Sequence, residues 1–325
     1  MADALFGDEE YADRLARTQA LLREHGLDAL IVTDPANTYY LTGYAAHSFN
    51  VPQALVVPVA GELLLAVREI DAASAWQTTS LAEHHVLGYP ESYVQQADSH
   101  PMEWIAERVR DRLDPAAVVG VESDSPYHPV RAHRALVAGL GGGVEVLEIP
   151  RLVTWVRAVK SAAEIAIMRT AARITEQAVA VAQDVIRPGV RQCDAAALIY
   201  AELIRGVPAA GGDDDRMRGA GGDYPAIPPL LLAGRNAAYP HVAWSDEPFG
   251  EGAVALELSG ARHRYHAPVA RTLHLGPPPR ELARLADITG EGLGRGHRPG
   301  TGWPRAAGSA IRWGSASRPT GASRR

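Results

Sequence analysis

Cysteine is almost missing from the sequence. Cys193 stands alone, which excludes an internal disulfide and a zinc site built from thiolates. One thiol in a chain of this size fits a reducing cytoplasm. Long apolar runs are missing too. No stretch approaches the ~20 uninterrupted apolar residues that cross a bilayer. Met1 to Asp13 is acidic, with no basic start ahead of an apolar core, so neither a signal peptide nor a membrane partner is expected. A basic surface is also lacking. Lys+Arg 32 against Asp+Glu 38 leaves a formal net charge of -6, which argues against nucleic acid as a partner.

Several catalytic signatures are absent as well. Gly141-Gly142-Gly143 lacks the Lys and Ser/Thr that complete a phosphate loop. The glycine-rich stretch from Gly211 to Gly222 carries aspartates and would repel phosphate. The nucleophile-elbow pattern Gly-x-Ser-x-Gly does not occur. No two histidines stand four residues apart, the spacing of a helical zinc pair. His84 and His85 are adjacent, and on a strand their rings would point to opposite faces.

What remains is an ordinary globular composition. The chain has 325 residues, 46% of them hydrophobic and 22% charged, enough for two domains with buried cores. Tyr11, Leu15, Thr18 and Leu22 recur at helical spacing, and Gly26 stops that helix. Ala29-Leu30-Ile31-Val32 reads as a buried strand, and Asp34-Pro35 turns the chain out of it. Ala54–Val57 and Leu63–Val67 are strands with Gly61-Glu62 at their turn. Met102, Ile105, Val109 and Leu113 mark a helix. Val118–Val121 and Val144–Ile149 are strands around a helix near Val130–Leu140. This alternation predicts an α/β domain over residues 1–150.

Past Pro150 the pattern changes. Ile165, Met168, Ala172, Thr175, Val179, Ala182 and Ile186 predict one face of a long helix, ended by Pro188-Gly189. A helix from about Asp194 to Arg205 follows. Short strands are expected at Leu230–Leu232, Val254–Leu258, Arg264–His266 and Thr272–Leu275, then a helix over Leu282–Leu293. The tail, residues 294–325, is rich in arginine and glycine and has no acidic residue or lysine. It reads either as a disordered basic tail or as a shift of the reading frame near Gly294.

Three segments carry candidate chemistry. His241, behind Pro240 and near Trp244, is placed for general acid–base work or merely closes a loop. Glu257 alternates with Leu256 and Leu258, so on a strand its carboxylate faces either solvent or a cavity. Arg264, Tyr265, His266 and Arg271 lie close together around Pro268. They read as a carboxylate-binding cluster or as a basic edge strand blunted by proline.

Together these segments resemble the creatinase and aminopeptidase P superfamily. Arg157 to Ile165 is similar to the entry of its catalytic domain, and Ile186-Arg187-Pro188-Gly189-Val190 to the end of that domain's first helix. The resemblance covers about residues 10–293. It implies a creatinase-like α/β N-terminal domain and an incomplete α+β pita-bread catalytic domain over residues 151–293. Peptidases of the superfamily hold metal through Asp-x-Gly and through Tyr-x-x-Asp-x-x-Arg-Thr. Set on this sequence, those aspartates become Leu258 and Pro268, so the resemblance implies no catalytic metal and no cofactor. Asn37 to Gln53, Gly221 to Ile227, Pro240-His241, Glu257-Leu258-Ser259-Gly260 and Arg264-Tyr265-His266 are similar to metal-independent ectoine hydrolases. That implies hydrolytic opening of a cyclic amidine, with Glu257 as base or nucleophile and His241 as proton shuttle. Tyr265, His266 and Arg271 would contact the substrate, and Phe49 would wall the site in a cytoplasmic homodimer. An Xaa-Pro metallopeptidase, and an inactive homologue that only binds or dimerises, are the alternatives.

Overall fold

The structure is a computed structural model that describes residues 5–48, 50–207, 223 and 229–296, with side chains described to residue 292. Contacts divide the chain into two units, Met1–Arg169 and Thr170–Arg325. Phe49, the stretch from Gly211 to Gly222, Tyr224 to Ile227 and the tail beyond Gly296 lie outside the described residues.

The first unit is built on a six-stranded sheet in the order β4-β3-β2-β1-β5-β6. Its strands are β1 (Ala29–Val32), β2 (Ala54–Pro58), β3 (Leu64–Arg68), β4 (Val86–Tyr89), β5 (Val118–Val121) and β6 (Glu145–Glu148). β1–β2 and β2–β3 pair antiparallel; β1–β5, β3–β4 and β5–β6 pair parallel. Both faces are covered, so the strands are apolar throughout rather than alternating. Leu30, Val32, Leu55, Val57, Leu65 and Val67 face one core with Leu22 of α1 (Asp8–Glu24) and Tyr40 and Leu41 of α2 (Pro35–Thr42). Ala75 of α3 (Ala72–Thr78) and Val153 of α6 (Leu152–Val156) complete it. Ile31, Val56 and Leu64 face the other core with Met102 and Ile105 of α4 (Pro101–Arg110) and Leu136 of α5 (Val130–Leu140). Each such fully buried side chain contributes roughly 1.5–3 kcal/mol.

Two readings gain local detail here. Asp34-Pro35 does not merely turn the chain. Asp34 accepts hydrogen bonds from the backbone N–H groups of Ala36 and Asn37 and so caps α2, with Pro35 in its first turn. His84 and His85 are not on a strand. They sit in a 3-10 turn, Glu83–His85, and their rings lie side by side with centroids 4.1 Å apart.

A buried cation anchors α1. Arg14 is fully buried, donates to the Tyr40 carbonyl at 2.8 Å and to Glu10 Oε1 at 2.9 Å, and stacks over the Phe6 and Tyr40 rings. A charge so placed is tolerated because hydrogen bonds and ring faces replace its water. α7 (Ala162–Val185) opens with a reciprocal cap: Glu164 accepts from the Ser161 N–H at 2.8 Å, and Ser161 Oγ accepts from the Glu164 N–H at 3.2 Å.

The second unit packs α7 and α8 (Gln192–Arg205) through one core with the sheet β7-β8-β9. Its strands are β7 (Leu230–Ala233), β8 (Gly252–Arg262) and β9 (Tyr265–Leu275), all antiparallel neighbours, and α9 (Arg280–Gly296) follows. The buried stripe of α7 is Ile167, Ala171, Ile174, Ala178, Ala182 and Ile186; Ile165 and Ala172, expected on that face, are exposed. Close approach explains the offset. A Cβ on Gly260 would lie 2.6 Å from the Ala171 carbonyl and 2.7 Å from the Thr175 nitrogen, so β8 runs almost against the helix backbone at its small residues.

Candidate active site

Glu257, Pro268 and Ala270 come together on a hairpin. β8 and β9 pair without a break from Gly252↔Leu275 to Arg262↔Tyr265. The closing two residues, His263 and Arg264, both have positive φ, 46° and 62°. That is the conformation of a tight two-residue turn, here made without glycine. Asp223 steadies it: its carboxylate accepts from the Arg264 N–H at 2.7 Å, and its own N–H donates to the Ala261 carbonyl at 3.0 Å.

The strand expected in two pieces around Pro268 is one strand. Counted from the closing pair Arg262↔Tyr265, the pair Ser259↔Pro268 is of the non-hydrogen-bonded kind. The missing N–H of Pro268 therefore points to the outer side of β9, which is the edge of this sheet among the described residues. Proline is tolerated at such a position because no ladder bond is lost.

The register also assigns faces. Paired residues share a face and neighbours alternate. Glu257 and Ser259 therefore share one face with Ala270 and Pro268. Val254, Leu256 and Leu258 turn the other way, into the core against α7 and α8. Leu258 is 1% exposed. The expectation that Leu258 occupies the first acidic ligand position is thus corrected: the outward residue there is Glu257. Glu257, Leu258, Pro268, Val269 and Ala270 line a shallow, open depression of about 260 Å³.

The other expected site residues scatter. His241 is exposed, with φ 63°, three residues beyond a 3-10 turn at Gly234–Ala238, and among the described residues no hydrogen bond or ion pair ties it to Glu257. His266 shares Glu257's face, but it pairs with Ala261, about 14 Å along the strand from Ala270 at the usual rise. Tyr265 and Arg271 pair with Arg262 and Leu256, on the face opposite Glu257, and Arg271 is exposed at the edge. Among the described residues, only Glu257 of the expected set meets the depression.

A positioning residue went unrecognised. Thr175 Oγ accepts from the Gly260 N–H at 2.8 Å and lies 2.7 Å from the Ala267 carbonyl, to which it donates. One buried hydroxyl thus joins α7 to both strands, one residue from Pro268. The available signal was a threonine within the apolar stripe of a helix.

In the first unit a cavity of about 170 Å³ is lined by Thr33, Asn50, Gln53, Tyr127 and several prolines. Elsewhere in this unit Glu122 is buried and holds the Asn37 amide with both carboxylate oxygens, at 3.0 and 2.9 Å. Burial pushes Glu122 up to about 7, against the opposing pull of its bonds from Asn37 and the Val153 N–H.

Two family descriptions match this chain: the creatinase/prolidase N-terminal domain over residues 14–159 and metallopeptidase family M24 over residues 166–303. Ectoine hydrolase of Halomonas elongata is 37% identical over 293 residues, 90% of this chain and 72% of that protein. The chain belongs to the creatinase/prolidase and M24 family. An uncharacterised hydrolase/peptidase of Sinorhizobium fredii is 40% identical over 89% of this chain and 71% of its own length. Among solved structures, a prolidase from Thermococcus sibiricus superimposes with a TM-score of 0.70 at 19% identity, covering 88% of this chain and 71% of that one, and confirms the two-domain fold. This M24 member is a hydrolase by family.

The name of the family implies a metal. Among the described residues lining the depression, Glu257 supplies one carboxylate, and leucine, proline, valine and alanine supply nothing that binds a cation. A hard dication takes six or more oxygen ligands, and a nitrogen-loving one about four donors. The lining does not fit either.

Proposed function

We propose that this M24 member hydrolyses the cyclic amidine of ectoine, or of a near analogue, without a catalytic dication. The observation that carries the reading is the lining of the Glu257 depression: one carboxylate, with proline where a second acidic ligand would stand on the same face. The similarity to an ectoine hydrolase supports the substrate class.

The chemistry suits that lining. An amidinium carbon is already electrophilic, so polarisation by a metal is not needed. Glu257 takes a proton from water as the oxygen bonds to the amidine carbon. One carbon–nitrogen bond then breaks, and the leaving nitrogen receives a proton, the part that the family resemblance assigns to His241. The ring opens to an N-acetylated diaminobutyrate, with one water added and no change of oxidation state. In a second form of the step, Glu257 bonds directly to the carbon and water resolves the adduct. A carboxylate facing a cationic substrate also holds it by charge. The register sends Tyr265 and Arg271 to the face opposite Glu257. Family resemblance adds a homodimer as the expected assembly.

A second reading is an Xaa-Pro metallopeptidase. One observation favours it: the outward residue at the first acidic position is Glu257, a carboxylate, rather than Leu258. Following ectoine and an Xaa-Pro dipeptide in parallel separates the two. Ectoine consumption that persists with chelator and stops in Glu257→Gln supports the amidine reading. Dipeptide cleavage that needs added manganese, with no ectoine consumption, replaces it with the second.

A further inference from the structure

The first unit carries a second cluster of donor atoms that the hydrolase reading does not use. Glu62 lies in the turn between β2 and β3, and His84 and His85 lie in the 3-10 turn that leads into β4. Because β3 and β4 run parallel, with Leu65 beside Val86, the two turns meet at one end of the sheet. His85 Nε2 is 3.3 Å from Glu62 Oε2, and each of the three residues offers one ligand atom within 4.8 Å of the others.

We propose that Glu62, His84 and His85 form a surface site for a divalent transition ion, with zinc as the representative. Ligand chemistry sets the ion class. Two imidazoles and one carboxylate suit zinc, nickel, cobalt or copper, and are a poor set for calcium or magnesium. Distances fit as well. With zinc–nitrogen and zinc–oxygen bonds of about 2.0–2.2 Å, neighbouring ligands of a tetrahedral site stand roughly 3.3–3.5 Å apart. The Glu62–His85 pair already has that spacing, and His84 needs a rotation of its exposed ring. Adjacent histidines reach one ion here because the 3-10 turn, closed by the His85 N–H to the Ala82 carbonyl at 2.9 Å, sets both rings on one side. Water from the exposed side completes the coordination.

The consequence is structural. β4 is the edge of its sheet and only four residues long. An ion shared by its leading turn and the β2–β3 turn clips that edge to β3, and any ion that binds the folded form alone adds to its stability. There is also a consequence for the hydrolase. Metal found in the purified protein belongs to this cluster rather than to Glu257.

Tag-free full-length protein, stripped by chelator and dialysed, is titrated with zinc sulfate by calorimetry, and its melting is followed with and without zinc. Expected are one ion per chain with micromolar affinity and a rise in Tm. The variant His84→Gln/His85→Gln loses about tenfold or more in affinity and the rise in Tm, and its metal-free melting stays near the wild-type value because His84 is exposed and half-buried His85 gives up only a surface contact with Glu62. Glu257→Gln keeps zinc binding unchanged. No saturable binding, or binding undiminished in the double variant, overturns the proposal; neither outcome touches the ectoine assay.

Discussion

Pro268 stands directly opposite Ser259 across the β8–β9 ladder, which puts it on the face of Glu257 and not on the face of Leu258. Nearly all that distinguishes this site follows from that pairing. The depression has a carboxylate at one end and a ring with no donor at the other. The neighbouring apolar residue, Leu258, serves the core against α7 and α8.

The face assignment is open to a paired substitution. Pro268→Asp adds a second outward carboxylate beside Glu257 and is expected to fold and to gain divalent-ion affinity. Leu258→Asp puts a charge into the core and is expected to cost more than about 3 kcal/mol without gaining an ion. Urea unfolding and calorimetric titration of both variants read this directly. Equal destabilisation by the two would contradict the register.

Glu257→Gln is expected to lower kcat for ectoine by about 10²-fold or more, the usual weight of a general base, with an unchanged melting temperature because the side chain is exposed. A variant that retains wild-type kcat removes Glu257 from the chemistry.

Much of this was legible beforehand, and the failures share a cause. Strands such as Ala29–Val32 and Val118–Val121 show as apolar runs because both sheet faces are covered. The helices at 8–24, 101–110 and 130–140 show as periodic stripes. What stayed hidden depended on partners remote in sequence. Ile165 and Ala172 were read onto the wrong side of α7 because Gly260 and Ala171 fix which face meets β8, whereas Thr175, Ala182 and Ile186 are buried as expected. The single long β9 was read as two pieces because tolerance of Pro268 depends on its pairing class. The neighbouring rings of His84 and His85 depended on a 3-10 turn that no periodicity announces. Glu257 itself was legible, since alternation alone turns it away from Leu256 and Leu258.

Thr175→Val tests the clamp between helix and hairpin. It removes the hydroxyl's bonds to the Gly260 N–H and the Ala267 carbonyl, which still face one another as a hydrogen-bonded pair of the ladder, and is expected to cost about 1 kcal/mol. Gly260→Ala is expected to cost more, because its new methyl meets backbone at 2.6 and 2.7 Å, which has no room to yield. Unfolding midpoints in urea rank the two.

Two buried groups of the first unit oppose one another in pH. Burial holds Glu122 at about 7, above its ordinary 4.5. Its raised value favours the folded state below pH 4.5, and that advantage is lost as pH rises to about 7. Burial, with the neighbouring His133 and His100, drops His128 to about 4 from 6.5. Its contribution is present above pH 6.5 and is lost as pH falls to about 4. Each is worth at most about 3 kcal/mol and their slopes oppose one another between pH 4.5 and 6.5, while burial also lowers His100 and His263, so the wild-type stability is expected to rise with pH through that window. Relative to wild type, Glu122→Gln is expected to gain stability as pH rises through that window, and His128→Gln to lose it. Denaturant unfolding at several pH values checks both slopes. Parallel slopes in the two variants would show that other groups govern the window.

The most direct test joins metal content to turnover in a single sample. Protein carrying His84→Gln/His85→Gln is dialysed against chelator, its metal is measured by mass spectrometry, and ectoine consumption is followed by chromatography. The account predicts less than a tenth of an ion per chain together with turnover at the rate of undialysed protein. Turnover that vanishes on dialysis and returns in proportion to an ion added back would contradict it.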